Sequence, residues 1–213
     1  LAEVLNFERL PERVFRETGG NSERFVEKGG KVLLMREVLK ELSPVLEQYS
    51  GSYASGDCVR RILGEIESVK RQALTPASLA TIAGSVGHGD PRLAAKLGDL
   101  QLIMARYGEC FTDSLDPSDS LARLTKRLSL GEEAMKKFFE NTAVFVDGYY
   151  TFTGAERMLL EELMSHTDEM WVTLCIGGED FFEEQKRELR RLLGAAERRG
   201  VTSRLRNVNT NTR

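Results

Sequence analysis

The residues best suited to chemistry form segment 144–147, where a short apolar run, VFV, ends in an aspartate. This pattern has the form of a Walker B strand, which places a carboxylate at the carboxyl edge of a parallel sheet. Such a carboxylate can hold the Mg²⁺ that bridges nucleotide phosphates, in the crevice where open α/β sheets bind ligands. Asp147 is therefore the candidate nucleotide and magnesium residue. The same spacing is equally typical of a turn, Asp147-Gly148, that follows a strand.

Two features argue against a complete ATPase site. An active helicase usually has a glutamate after the Walker B aspartate to orient water, and Gly148 stands there instead. The phosphate-cradling pattern GxxxxGK[ST] occurs nowhere in the 213 residues. The glycine pairs at 19–20 and 29–30 lack this pattern and are interpreted as helix caps and loops. Since no nuclease carboxylate cluster is evident either, we expect no catalytic residue and no bound cofactor in this segment.

Composition excludes several classes of protein. With 41% hydrophobic and 30% charged residues the chain is typical of a soluble globular protein, and no apolar run approaches the ~20 residues of a membrane helix. The first residues, LAEVL, do not resemble a secretory signal and look like a cut end. Cys58, Cys110 and Cys175 are too few and too far apart for a disulfide framework or a CxxC metal site, which favours a cytoplasmic protein. His88 and His166 have no partner at metal-ligand spacing.

The net charge of −3 is distributed unevenly. Residues 183–213 contain nine Lys/Arg and four Asp/Glu, which leaves about −8 on the residues before them. Arg190 and Arg191, with Arg198 and Arg199, alternate with leucines and glutamates on a predicted helix. This pattern is typical of a solvated helix face, and it is also compatible with a phosphate-binding patch.

Most of the chain up to about residue 140 has helical patterning. The dipeptides at 75–76 (TP), 90–91 (DP) and 116–117 (DP) each join an N-cap residue to a proline, which predicts three helix starts. Segment 31–49 is apolar at spacings of three and four, with a proline at 44 that should kink or split its helix. The stripe at 93–111 predicts a long helix that packs in an intramolecular antiparallel pair, with a coiled coil as the alternative.

The pattern of apolar residues changes after residue 142. Segments 143–146 and 170–176 are continuous runs of β-formers, as expected for strands buried on both faces of a parallel sheet. Between them a helix is predicted over 154–165, with Thr153 and Glu156 placed to form a capping box. These elements predict a βαβ unit with a right-handed crossover.

Three further elements complete the predicted fold. A helix is expected over 180–199, a strand over 201–207, and another strand over 3–6. The predicted fold class is thus α/β and predominantly helical. We expect residues 8–140 to form an all-helical insertion, and residues 1–7 and 141–213 to belong to an α/β domain with a small parallel sheet.

Several of these segments resemble those of AddB/RexB-type subunits, the B subunits of bacterial ATP-dependent helicase-nucleases. The resemblance is carried, in the same order along the chain, by NFERL at 6–10, LTPASL at 74–79, KLGDL at 96–100, FVDGY at 145–149 and VTL at 172–174. It spans nearly the whole sequence. The segment FVDGY, followed by Phe152, Thr153 and Glu156, is the most specific part.

The resemblance implies a superfamily 1-like helicase core whose first RecA-like (P-loop NTPase-like) domain contains a helical insertion. For the parent protein it implies ATP, Mg²⁺ and an iron-sulfur cluster in a distant nuclease domain, with DNA and an A subunit as partners. It also implies a role in double-strand break repair and homologous recombination. Gly148 and the GGED segment at 177–180 depart from working helicase motifs. The resemblance therefore implies a helicase region that has lost its motor activity and serves to recognise DNA.

The resemblance also suggests where DNA would bind. In this superfamily the junction that enters the insertion lies near the single-strand path, which makes Asn6, Phe7 and Arg9 the candidate DNA contacts. Arg190 and Arg191 are secondary candidates. The alternative is that Phe7 and Leu10 staple the first helix to the core while Arg9 is solvated.

Two functions remain open at this point. The first is a non-catalytic scaffold and DNA-handling segment of a recombination nuclease. The second is a helical protein-interaction module that carries a Rossmann-like subdomain and has no role on DNA.

Overall fold

The computed structural model describes residues 2–20, 25–111, 114–177 and 182–207. Over these residues the protein is predominantly helical and has a small parallel sheet, which confirms the predicted fold class. The chain divides into two compact units. The first is Leu1–Leu124 with Thr153–Glu156, and the second is Thr125–Phe152 with Arg157–Arg213. The predicted limits of the insertion, 8–140, and its RecA-like setting stay predictions.

The first unit is built from helices joined by short connections. Its long helices are α1 (Arg9–Thr18), α2 (Lys28–Leu42), α3 (Gly56–Arg71), α4 (Pro76–Val86) and α5 (Pro91–Glu109). Two short 3-10 helices, Ser52–Ala54 and Pro117–Asp119, lie in the connections, and the second leads into α6 (Ser120–Ser129).

The core of the first unit forms where the apolar stripes of α2, α3 and α5 meet. The three- and four-residue spacing of these stripes places their members on one face of each helix. These helices bury Met35, Val38, Leu39, Val59, Ile62, Leu63, Ile66, Leu100, Ile103, Met104 and Tyr107, and Leu46 after α2 and Leu79 of α4 complete the core. The predicted stripe of α5 therefore packs within the chain.

The predicted helix starts are confirmed by their hydrogen bonds. Thr75 Oγ1 accepts the amide N–H three residues later at 3.1 Å, and Asp90 Oδ1 does the same at 2.9 Å. Asp116 Oδ1 accepts the amide of Ser118 at 3.1 Å, although the turn it begins is the 3-10 helix Pro117–Asp119. Such acceptors satisfy amides that have no partner in a helix's first turn.

The glycine pairs have two different roles. Gly19 follows α1 with φ at +80°, a backbone region that favours glycine, so this pair acts as the predicted cap. Gly29 and Gly30 lie in the first turn of α2, so their interpretation as a cap or loop was wrong.

The second unit contains the sheet. Its elements are the rest of α6, α7 (Glu133–Phe139), β1 (Ala143–Val146), the greater part of α8 (Gly154–Leu163), β2 (Glu169–Val172) and α9 (Glu183–Arg198). The strands run parallel, with Ala143 opposite Glu169 and Phe145 opposite Trp171. The predicted βαβ unit is confirmed, and so is the capping box: Glu156 Oε2 accepts the Thr153 amide at 2.8 Å, and Thr153 Oγ1 accepts the Glu156 amide at 3.3 Å.

Three strand predictions need correction. Residues 3–6 and 201–207 form no strand, and Val4 is fully exposed. Both segments lack a neighbouring strand in the described part of the chain, and a strand without ladder partners has little stability of its own. β2 ends at Val172 instead of 176, because β1 ends at Val146 and leaves the later residues without a continuing partner.

The expectation of strands buried on both faces was also wrong for this chain. Val146 is buried, whereas Phe145 is 71% exposed and Trp171 is 46% exposed. The sheet therefore has one covered face and one open face.

Candidate nucleotide site and nucleic-acid contacts

Asp147 lies directly after β1, at the carboxyl edge of the sheet, as predicted. Its carboxylate accepts a hydrogen bond from the hydroxyl of Thr173, the residue that follows β2. The Thr173 amide also donates to the Val146 carbonyl at 3.0 Å, so backbone and side chain hold the two strand ends together. Both side chains are exposed. The site thus presents one carboxylate and one hydroxyl to solvent.

Thr173 was not among the predicted site residues, because its position opposite Asp147 depends on the register of the two strands. In a parallel pair with Phe145 opposite Trp171, the residue opposite Asp147 is Thr173. A short strand pair of unknown register does not reveal this, because a shift of one residue would place Thr173 on the other face.

The oxygen donors at this edge are of the type that Mg²⁺ prefers, since magnesium sites in nucleotide enzymes combine one or two carboxylates with phosphate oxygens and water. Asp147 and Thr173 fit part of such a site. Gly148, with φ at +83°, turns the chain immediately after Asp147 and brings no second carboxylate. Over the described residues no cluster of three or more His, Cys, Asp or Glu side chains is arranged to hold a metal ion.

The loop that follows Asp147 is anchored at its far end. Phe152 is buried, and its carbonyl accepts a hydrogen bond of 2.8 Å from Arg157 Nη2. Arg157 is in turn held by both oxygens of Glu188, at 2.8 and 3.1 Å, and the Glu188 side chain is almost fully buried. Arg157 and Glu188 are far apart in sequence and carry no motif that would have identified them. Together they fix where the loop rejoins α8.

The predicted junction residues lie at the start of α1. Asn6 Oδ1 accepts the backbone amide of Arg9 at 2.9 Å, so the asparagine side chain caps the helix. Arg9 is exposed and Phe7 is partly buried. Capping therefore accounts for Asn6 within the chain, while the guanidinium of Arg9 is accessible to a phosphate.

Three arginines in or just after α9 are paired with carboxylates of the second unit. Arg191 contacts Glu188 at 3.4 Å, and Arg198 contacts Glu161 at 3.4 Å. Arg199 binds Glu162 at 2.9 Å, and this hydrogen bond raises the pKa of the guanidinium. The paired glutamates neutralise these three arginines, which therefore attract phosphate less strongly.

Arg190 differs from these neighbours. Among the described residues it forms no ion pair, and it lines an open groove of about 570 Å³. The other groove-lining residues are Leu193, Gly194, Glu197, Val201 and Ser203. Arg190 is therefore the most available of the candidate arginines in the second unit.

The first unit contains a buried charge cluster that the sequence did not indicate. Asp116 is shielded from solvent and accepts hydrogen bonds from Lys31 at 2.8 Å and Lys70 at 2.9 Å. Lys31 also pairs with Glu67, and Lys70 with Asp119. Burial alone would raise the pKa of the Asp116 carboxyl, but hydrogen bonds from Lys31, Ser118 and Lys70 lower it to about 2.

The cysteines are free thiols: Cys58 and Cys110 are partly buried and Cys175 is exposed. An iron-sulfur cluster of the usual kind needs four thiolates, and the sequence has three cysteines, so these residues do not fit one. Within the described ranges, no helix has the length and apolarity that crossing a bilayer requires.

Known proteins of similar sequence identify the family of this chain. Similar proteins include the B subunit of the ATP-dependent helicase/deoxyribonuclease of Clostridium tetani (strain Massachusetts / E88), which is 30% identical over 179 residues, or 83% of this chain and 15% of the relative. The protein of the same name from Moorella thermoacetica (strain ATCC 39073 / JCM 9320) is 32% identical over 178 residues, or 82% of this chain and 15% of the relative. That of Bacillus subtilis (strain 168) is 27% identical over 193 residues, or 88% of this chain and 16% of the relative.

The chain thus spans about 15% of the length of these relatives. The model of the family described as ADDB, N-terminal, matches residues 1–213. Because the match covers the whole sequence, this chain belongs to the ADDB N-terminal family.

Proposed function

We propose that this chain is a scaffold and DNA-handling segment of the B subunit of an ATP-dependent helicase/deoxyribonuclease, acting in double-strand break repair and homologous recombination. The observation that carries the proposal is the family match over the whole chain. The relatives carry the name of that enzyme, and this segment matches about 15% of their length, which supports assigning the enzymatic activity to a longer protein.

The edge of the sheet supports a segment without its own ATPase site. Asp147 is placed as a Walker B aspartate would be, and Thr173 holds its carboxylate. Gly148 follows in place of a glutamate, and the sequence contains no phosphate cradle. We infer that Asp147 is a remnant of a nucleotide site that needs residues outside this segment.

The junction supports contact with single-stranded DNA. The α1 cap formed by Asn6 fixes the backbone at Arg9, whose side chain is exposed. A guanidinium carried by a backbone that is already fixed loses less conformational freedom on binding a phosphate than one on a flexible segment. Phe7 precedes Arg9 by two residues and is partly buried, and aromatic rings are the usual stacking surface for single-stranded bases. Arg190 and Arg191 are secondary candidates, and the ion pair of Arg191 with Glu188 makes it the weaker of the two.

ATP, Mg²⁺ and an iron-sulfur cluster are proposed for the longer protein, with an A subunit and DNA as its partners. The relatives are named as one subunit of an enzyme, which supports the existence of a partner subunit. In this segment, Asp147 and Thr173 would contribute oxygen ligands near the metal, and the three cysteines would not bind the cluster.

The alternative is a protein-interaction module with no role on DNA. The internal pairing of Arg191, Arg198 and Arg199 and the net charge of −3 favour it, because both weaken attraction to phosphate. Single-stranded DNA binding separates the two functions: the first requires it at low salt, and the second does not.

The absence of an ATPase site is tested by measuring magnesium-dependent ATP hydrolysis and DNA cleavage by the purified chain. We expect neither above background. ATP hydrolysis that Asp147→Ala abolishes would contradict this part of the proposal, and hydrolysis that survives the substitution would indicate a contaminating enzyme.

A further inference from the structure

One face of the sheet exposes two aromatic side chains. Phe145 and Trp171 lie opposite each other in the parallel register, 71% and 46% exposed. Their rings are nearly parallel, with 7° between the planes and 6.4 Å between the centroids. The two side chains therefore form one continuous aromatic surface.

This aromatic pair lies between two carboxylates. Along β2, Glu169 precedes Trp171 by two residues, shares its face and accepts the indole N–H at 3.2 Å. Along β1, Asp147 follows Phe145 by two residues, and both carboxylates are exposed. The open face thus combines an apolar centre with negative charge at both ends.

The opposite face is covered. Val144, Met170 and Val172 are partly buried, and Val146 is buried. Parallel sheets in soluble proteins are normally covered by helices on both faces, because their crossover connections place helices there. A second covering element is therefore expected on the aromatic side. The relatives, of which this chain matches about 15%, contain ample further polypeptide to supply it.

We propose that the face formed by Phe145, Trp171 and Glu169 is the docking surface of a basic amphipathic helix contributed by the longer polypeptide. Aliphatic side chains of that helix cover the two rings, and a flanking arginine pairs with Glu169. Arginine suits this surface because its planar guanidinium can stack on an indole and bind a carboxylate. Nucleic acid does not fit, because the carboxylates repel phosphate. The proposal is independent of a role on DNA, since it rests on the charge and shape of this face.

Trp171 provides a direct readout, because it is the only tryptophan in the sequence. The probe is a helical peptide with a leucine stripe flanked by arginines, and the matched control peptide has glutamates in place of the arginines. We expect the arginine peptide to shift Trp171 emission to shorter wavelength and to reduce quenching by acrylamide. The glutamate peptide should do neither.

Two variants distinguish specific binding at this face from nonspecific binding of the peptide elsewhere on the protein. Glu169→Gln should weaken binding of the arginine peptide by about two- to fivefold, the range for one exposed ion pair. Glu133→Gln, at an exposed position of α7, should leave binding unchanged. The proposal is overturned if the arginine peptide does not protect Trp171, or if the glutamate peptide protects it equally. It is also overturned if protection of Trp171 rises with the concentration of the chain alone, because a second copy would then be the occupant.

Discussion

Lys31 and Asp116, which are far apart in sequence, form an ion pair of 2.8 Å that is almost closed to solvent. The pair joins the first turn of α2 to the 3-10 helix that begins at Pro117. One residue before Asp116, Leu115 forms an isolated parallel bridge with Phe25. The segment that enters α2 and the segment that leaves α5 are therefore tied together by backbone and by charge.

We predict that Asp116→Asn lowers the free energy of unfolding by about 1–3 kcal/mol, because Lys31 and Lys70 lose their shared counter-charge while Lys31 keeps Glu67 and Lys70 keeps Asp119. The measurement is urea denaturation followed by circular dichroism. Asp57→Asn is the matched control: Asp57 is exposed and, among the residues that the structure describes, pairs with its helical neighbour Arg60 alone, so its loss should cost less than about 1 kcal/mol. Equal losses in the free energy of unfolding would show that the buried cluster stabilises the protein no more than an exposed ion pair does.

The same carboxyl predicts an acid-dependent loss of stability. Its pKa is about 2 in the folded protein, against an ordinary value of 3.8. A carboxyl whose pKa is lowered by folding stabilises the protein above its unfolded pKa, and this stability is lost as the pH falls through the folded pKa. Between about pH 5 and pH 2 the wild type should therefore lose roughly 2 kcal/mol more than Asp116→Asn. Parallel pH profiles of the two proteins would contradict this.

The elements that could be predicted from the sequence are those set by local patterning. Thr75 and Asp90 cap helices because an N-cap side chain bonds an amide only three residues away. The βαβ unit followed from two apolar runs and one capping box. The Lys31–Asp116 pair could not be predicted, because it depends on tertiary packing. The exposure of Phe145 was missed because an apolar run does not indicate which of its covering elements lie within the chain.

In the candidate site, too, only the residue set by local sequence could be predicted. Asp147 followed from its place after an apolar strand, and the structure places it at the sheet edge as expected. Thr173 depends on strand register, and Arg157 with Glu188 depends on the packing of α8 against α9. The roles of Asn6, Phe7, Arg9, Arg190 and Arg191 on DNA stay predictions, because surface exposure does not by itself identify a ligand.

Glu188→Gln should loosen the loop that follows Asp147. The substitution keeps the shape of the side chain but removes the charge that binds Arg157, which holds the Phe152 carbonyl. Hydrogen bonds to charged groups contribute about 1.5–3 kcal/mol, so the second unit should lose stability in this range. Hydrogen exchange of the amides at 149–152 should become faster. Glu184→Gln, an exposed change in the same helix, should affect neither quantity, and unchanged exchange in Glu188→Gln would argue against the anchoring role.

Asp147 and Thr173 should be energetically coupled. In a double-mutant cycle of Asp147→Ala and Thr173→Val, the hydrogen bond between them predicts a coupling of about 0.5–1.5 kcal/mol in the free energy of unfolding. A cycle that pairs Asp147→Ala with Thr167→Val should be additive, because the Thr167 hydroxyl bonds the carbonyl of Leu163 instead. Additivity in both cycles would mean that Thr173 does not position Asp147.

The most direct test of the DNA-handling role is fluorescence anisotropy of a labelled single-stranded oligonucleotide titrated with this chain at low and moderate salt. The comparison uses wild type, Arg9→Ala and Arg190→Ala; deletion of the basic tail is unsuitable, because it removes the buried Leu192 of α9. We predict weak binding at low salt that fades as salt rises, with Arg9→Ala reducing affinity and lowering the salt dependence by about 0.7 in the log-log slope, the value for one lost phosphate contact. Loss of binding in Arg190→Ala alone would move the contact to α9. No binding by the wild type at low salt would contradict the DNA-handling role and favour the interaction module.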